Sequence, residues 1–241
     1  MKIRLNLFSR ALAVFLLSAT CVLAADNNVI ESTRAPGDTA PQTDPASAFW
    51  QKASPVYAEK DTQGKPVLNR RMEVRSRWTN DDIYFLFICP YEALFLKPAP
   101  DTVHETNQLW NWDVAEVFIG SDFKNIKRYK EFEVSPQGEW IDLDIDLDKP
   151  HHEDGWVWNS GFQVVARIDR AAKVWYGAMR IPLATLEDHT AVAGDSFRVN
   201  LFSSQGKPPD RKNTTWQPTM SDTFHVPERF GTLKLVDTVN K

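Results

Sequence analysis

The side chains best suited to chemistry in this chain are carboxylates spaced two apart. From Gly138 the sequence reads GEWIDLDIDLDKPHH, in which Asp142, Asp144, Asp146 and Asp148 alternate with Ile141, Leu143, Ile145 and Leu147. Upstream, YKEFEV places Glu131 and Glu133 two apart, and VAEVFIG contributes Glu116. Carboxylates held close together raise one another's proton affinity. A pair about 5–9.5 Å apart can cleave a glycosidic bond, so Glu116, Glu133, Asp142 and Asp144 are acid–base candidates. The plainer reading is a half-buried antiparallel strand, which turns polar residues outward and aliphatic residues inward as a matter of course. On the pattern alone, that reading leads.

Metal chemistry has weaker support. Hard oxygen ligands suit calcium, but the aspartates lack the glycine-bearing loop of an EF-hand, so loops from different strands would have to supply any such ion. HHEDGW, from His151 to Trp156, offers two imidazoles and two carboxylates to a transition metal. It lacks i, i+4 spacing, and a solvated loop is the simpler account. There is no Gly-x-Ser-x-Gly, no phosphate loop and no cysteine in a signature setting.

Aromatic residues add a second chemistry. Of nine tryptophans, Trp110 and Trp112 in NQLWNWD, Trp156 and Trp158 in DGWVWNSG, and Trp216 in NTTWQPTM sit in polar or turn-like settings. An indole in such a place can stack on the flat C–H face of a sugar ring while nearby carboxylates or amides take its hydroxyls. Trp50, Trp78 and Trp175, flanked by apolar partners, are assigned to the core.

These residues need strands to position them. RMEVRSRW, DIYFLFI, VAEVFIG, YKEFEV, EWIDLDIDL, GFQVVARI, VWYGAMRI, FRVNLFSS and GTLKLV all carry a period of two or β-rich apolar runs bounded by turn residues. They predict an all-β fold, a sandwich or a barrel. Ser135, Pro136, Gln137 and Gly138 predict a tight turn, making YKEFEV and EWIDLDIDL a hairpin. Glu131 and Glu133 then share one face, and Phe132 and Val134 the other. Helix signals are confined to FWQKAS and to PLATLEDH, with Pro182 at a first helical position.

The ends bound the fold. Lys2, Arg4 and Arg10 precede the apolar run ALAVFLLSATCVLA, which closes on Ala24 and Ala25, the layout of a cleaved export signal over residues 1–25. The run falls short of the ~20 residues of a membrane span, and no later segment approaches one. A secreted or periplasmic chain is expected. Cys21 lacks the leucine three places upstream and the small Gly or Ala before it that lipidation prefers, and Cys89 in IYFLFICP reads as a small buried apolar residue. Residues 26–43, rich in Thr, Ala, Pro and Asp, predict an extended leader, and residues 44–241 one domain, with the packed fold opening near Trp50. With 28 basic against 32 acidic residues, the chain lacks the basic footprint of nucleic-acid binding.

In order, FWQKAS, RSRWTNDDIYFLFICP, LWNWDVAEVFIG, YKEFEVSPQGEWID, MRIPLATL, FRVNLF and FHVPERFGTLKL resemble the family 9 carbohydrate-binding modules and their DOMON-like relatives, across about residues 44–236. The most telling pieces are Trp110, Asp113 and Glu116 in an aromatic-x-x-Asp-x-x-Glu array and the terminal Pro-x-x-Phe-Gly. The resemblance implies a non-catalytic antiparallel β-sandwich of about nine to ten strands, immunoglobulin-like in architecture, that grips a sugar ring between two aromatic jaws. It also implies structural calcium in some members and extracellular glycoside hydrolases as partners. By position, Trp110 corresponds to one jaw and Glu116 to the acidic hydrogen-bonding residue. The second jaw, a tryptophan in the family, corresponds to Phe224. The arginine expected on the hairpin's first strand corresponds to Glu133, which reverses the charge unless Arg128, Arg211 or Lys212 replaces it. The expected binding set is Trp110, Trp112, Glu116, Glu133, Asp142, Trp216 and Phe224, with Asp146 and Asp148 solvated. Two alternatives stand beside it. One is a b-type haem protein drawing on Met72, Met179 or Met220 with His104, His189 or His225. The other is a glycoside hydrolase built on Glu116, Glu133 and Asp142.

Overall fold

A computed structural model describes residues 28–149 and 156–237. The expected export signal, Cys21 and the His151–Asp154 imidazole and carboxylate group lie outside these residues. Twelve strands run in chain order: β1 (Val29–Arg34), β2 (Val56–Ala58), β3 (Met72–Trp78), β4 (Asp82–Pro90), β5 (Val114–Gly120), β6 (Arg128–Val134), β7 (Trp140–Asp146), β8 (Gln163–Asp169), β9 (Val174–Pro182), β10 (Ser196–Gln205), β11 (Lys212–Thr215) and β12 (Gly231–Val236). Among the described residues the helical segments are four single 3-10 turns, and none is long and apolar enough to cross a membrane. The PLATLEDH segment condenses to one such turn, Leu183–Thr185, because Pro182 is still the last residue of β9.

Hydrogen bonding links the strands as β7-β6-β5-β10-β12-β1-β3-β4-β9-β8, with β11 against β10 and β2 against β3. The nine strands legible in the sequence form the two flanks of this path, five on one side of β1 and four on the other. The leader strand β1 joins them, parallel to both β12 and β3. The result is one nearly closed, barrel-like sheet of twelve strands, the barrel that the strand pattern left open and not the pair of sheets totalling nine to ten strands that the resemblance implies. The reason lies in residues 28–43 of the expected leader. They were expected to stay outside the fold, yet Ile30 is buried, Ser32 hydroxyl-bonds Ser76 in the interior at 2.8 Å, and β1 fills what would otherwise be the gap between flanks.

Arg77 of β3 fixes this segment. Its buried guanidinium donates to the carbonyls of Thr33, Arg34 and Phe49. Trp50 packs against Leu86 and Ala178 and donates its indole N–H to the Gln42 carbonyl at 2.8 Å. The flanks curl until β9 meets β6 across the main core, where an ideal Cβ on Gly177 would sit 2.7 Å from Val134 Cγ1. Trp78, Phe85, Phe87, Cys89, Phe132, Trp175, Val199 and Leu233 fill this interior. A second apolar cluster, with Phe118, Ile141, Leu143, Ile145, Trp156 and Phe202, covers the other face of β5, β6 and β7. The Ser135–Gly138 turn forms as predicted: Gly138 adopts φ +88° and donates to the Ser135 carbonyl at 3.1 Å.

Candidate functional site

The β-pairing register decides which carboxylates can meet. Across β10, β5, β6 and β7, Phe202 stands opposite Glu116, Glu116 opposite Glu133, and Glu133 opposite Ile141. One step along, Phe118 faces Glu131, which faces Leu143. Directly paired residues project to the same side of a sheet. Glu116, Glu131 and Glu133 therefore share the face that carries Phe118 and Phe202.

Asp142 does not. It pairs with Phe132 and so projects to the main-core side, where it accepts hydrogen bonds from the Ser160 amide at 2.8 Å and the Ser160 hydroxyl at 2.5 Å. The expectation that Asp142 lines the site beside Glu116 and Glu133 is corrected, and with it the three-carboxylate hydrolase arrangement. Alternation cannot say which side of a strand is wet when both sides are covered. In β7 the aliphatic face packs under the second cluster, while Asp144 pairs with Lys130 at 2.7 Å on the main-core side near the sheet's edge. Asp146, expected in solvent, is buried and lies 3.3 Å from Arg128. Asp148 is exposed beside Lys127.

Above the glutamates lies a cleft of about 290 Å³ lined by Trp110, Glu116, Glu131, Arg211, Asn213 and Phe224, with Phe118, Ser204 and His225 also on its walls. Trp110 belongs to a 3-10 turn, Leu109–Asn111, whose Leu109 is fully buried in the second cluster and anchors the turn. Arg211 clamps the same turn. Its guanidinium donates to the carbonyls of Trp110 at 2.6 Å, Trp112 at 2.5 Å, Asn111 at 3.2 Å and Gly206 at 3.4 Å. Asp113, the centre of the aromatic-x-x-Asp-x-x-Glu array, accepts from the Gly206 amide at 2.6 Å and the Phe95 amide at 2.9 Å, so it ties loops together and does not face the cleft. Phe224 stacks on Phe202 with centroids 4.2 Å apart and planes 9° off parallel. His225 stacks on Phe118 and shares a 2.7 Å hydrogen bond between Nδ1 and the Tyr129 hydroxyl.

Electrostatically, the floor of the cleft is out of balance. Burial pushes the Glu116 and Glu133 carboxyls well above the usual carboxylate range; repulsion from Glu131 adds to both, and repulsion from Glu116 adds to Glu133. Burial lifts Glu131 to about 7. Arg211 pulls against the shifts of Glu116 and Glu133, but its own donors point at carbonyls.

Of the residues expected to bind, Trp110, Glu116 and Phe224 converge on this cleft, and Glu133 lies among the glutamates beneath it. Trp112 caps the turn and is absent from the cleft lining. Trp216 is a correction: it is buried in the main core against Gly231, not a platform. Glu131, Ser204, Arg211, Asn213 and His225 are additions. Glu131 was legible from its spacing of two from Glu133, whereas β11, which carries Asn213, and the loop ending at Arg211 reach the cleft only through tertiary pairing with β10. A larger cleft of about 730 Å³, lined by Arg128, Lys130, Asp144, Leu186 and His189, has no indole on its walls. Of the sulfur and imidazole groups considered for haem, Met72 and Met179 are fully buried in the main core, while Met220, His104 and His189 are more than half exposed.

The family model for carbohydrate family 9 binding domain-like sequences matches residues 45–238. Among solved structures, a Bacteroides uniformis protein named as a carbohydrate-binding candidate superposes with a TM-score of 0.67 at 13% identity, covering 86% of this chain and 99% of that one. A family 9 carbohydrate-binding module of Caldicellulosiruptor kristjanssonii in complex with cellotriose gives a TM-score of 0.62 at 11% identity over 88% of this chain and 95% of that one. The module of the same organism in complex with glucose gives 0.61 at 11% identity, over 88% and 98%. No curated protein shows detectable similarity to the chain.

Proposed function

The chain belongs to the carbohydrate family 9 binding domain-like family, whose members are non-catalytic carbohydrate-binding modules, and from that premise we propose that the cleft between Trp110 and Phe224 binds a sugar ring by aromatic stacking. The observation that carries this reading is the convergence of those two side chains over Glu116 and Glu131, with Ser204, Arg211 and Asn213 on the same walls. A pyranose presents apolar C–H faces to the rings and a girdle of hydroxyls to the carboxylates and amide. Ligand sites of this kind combine aromatic surface with a few placed polar groups.

The export signal in residues 1–25 supports a site of action outside the cytoplasm, where polysaccharide fragments and the glycoside hydrolases that release them occur. The domain would hold or deliver a carbohydrate without cleaving it. Titrating the chain with glucose, cellotriose and a panel of other oligosaccharides while following tryptophan emission tests this. Saturable quenching or enhancement by at least one saccharide is expected, and a flat response across the panel would remove the reading.

A further inference from the structure

We propose that Glu116, Glu131 and Glu133 hold a divalent cation of calcium's kind at the base of the cleft, with its remaining coordination positions open to the ligand's hydroxyls. The second half of this statement rests on the sugar-binding reading. The first half stands on the glutamates themselves.

One carboxylate oxygen from each of the three lies within 4.8 Å of the other two. The side chains are 2%, 4% and 0% exposed, and four of their oxygens, Glu116 Oε1, Glu131 Oε2 and both of Glu133, are buried without a hydrogen-bond partner. Buried carboxylates are ordinarily paired, hydrogen-bonded or coordinated to a metal. Here the neighbouring cation does not pair with them: Arg211 gives its N–H groups to carbonyls. The imidazole of His225 stands 3.9 Å from Glu131 Oε2, a long ion pair that leaves Glu116 and Glu133 to one another. Three such groups on rigid, paired strands are held together against their repulsion, which an ion between them would reverse.

The donor set selects the ion. Oxygen donors alone favour hard cations, and calcium accepts them at about 2.3–2.6 Å in a flexible geometry. Magnesium demands near-ideal octahedral geometry and gives up its waters reluctantly, so a buried set of three glutamates suits it less. Calcium takes about six to eight oxygens, so three glutamates leave positions for other ligands. Glu116 and Glu131 line the cleft and Glu133 lies beneath. The unfilled side therefore faces the cleft, where adjacent hydroxyls of a sugar can reach it.

The test uses the full chain stripped with EDTA and titrated with calcium chloride alone by isothermal titration calorimetry, then with cellotriose in the presence and absence of calcium. One calcium per chain and a calcium-dependent rise in the unfolding midpoint are expected. Glu133→Gln should weaken calcium binding by about tenfold or more, as even indirect ligand supports are worth that much. It should also cross over in stability, unfolding later than wild type in EDTA and earlier in calcium, which a merely structural role would not produce. If that variant fails to fold, terbium emission sensitised by Trp110 in the wild type, and its displacement by calcium, reads the same site. The cation assignment is overturned if calcium neither binds nor stabilises, if it acts equally on wild type and Glu133→Gln, or if glucosamine binds through Glu133 without any calcium effect. Cellotriose binding that persists unchanged in EDTA overturns the bridging role alone. Calcium binding with no saccharide bound upholds the ion and removes the sugar-binding reading instead.

Discussion

Arg211 supports Trp110 through geometry more than through charge. Its planar fork reaches four carbonyls of the turn and the adjoining loop, which a lysine ammonium cannot match from one position. Arg211→Lys should therefore lose sugar affinity nearly as fully as Arg211→Ala, on the order of tenfold. Rescue by lysine would mean that the positive charge itself matters, and a binding isotherm for each variant decides it. A separate residue-scale effect concerns Glu105, whose carboxyl is lifted to about 7, first by burial and then by repulsion from Asp142. The folded chain then holds this proton more tightly than the unfolded chain does, so stability is greatest below the ordinary carboxylate value of 4.5, falls as pH rises from there towards 7, and is level above it. Glu105→Gln should flatten that fall, giving a smaller difference between denaturant midpoints at pH 5 and pH 8. Identical pH dependence in the variant and the wild type would show that Glu105 is not responsible.

Among the elements, β1 makes the strongest demand. It supplies the hydrogen-bonded bridge between β12 and β3 and buries Ile30 and Ser32. Removing residues 26–34 while keeping the rest should lower the unfolding midpoint by about 10 °C or more, since the loss of a few kcal/mol shifts a domain of this size by that much. An unchanged midpoint would return this segment to the status of a leader. Gly231 opens β12 where a Cβ would lie 2.5 Å from the Trp216 ring and 2.6 Å from the Asn28 carbonyl. Gly231→Ala should cost about 1–3 kcal/mol, the range for overpacking, seen as a lower midpoint in urea with an unchanged slope. The elements also explain what could be read from the sequence. The nine strands with strong period-two or apolar patterns were legible. VIESTR, VYA and KNTT are polar or only three residues long, and tertiary pairing alone makes them strands. Glu131, Glu133 and Trp110 could be placed by spacing and motif. Asp142 could not, because its face is set by the pairing of Phe132 with Asp142, and both faces of β7 carry packing.

At the scale of the whole molecule, the curled sheet separates two tasks. Its interior face concentrates Trp78, Trp175, Phe85 and Phe132 and carries the stability, while the second apolar cluster on the outside of β5, β6 and β10 supports the cleft. Phe118 and Phe202 belong to that cluster, Phe118 lines the cleft and Phe202 backs Phe224, so the site rests on packed strands and its aromatic walls are braced before any ligand arrives. Such preorganisation lowers the ordering cost of binding. The most direct test of the account is a calorimetric titration of the wild type and Trp110→Ala with the saccharides that alter tryptophan emission, beside a thermal unfolding curve for each protein. The account predicts saturable binding by the wild type, a loss of about thirtyfold or more in the variant, as befits a central aromatic contact worth about 2 kcal/mol, and near-identical unfolding curves. Equal affinity in the two proteins would contradict it.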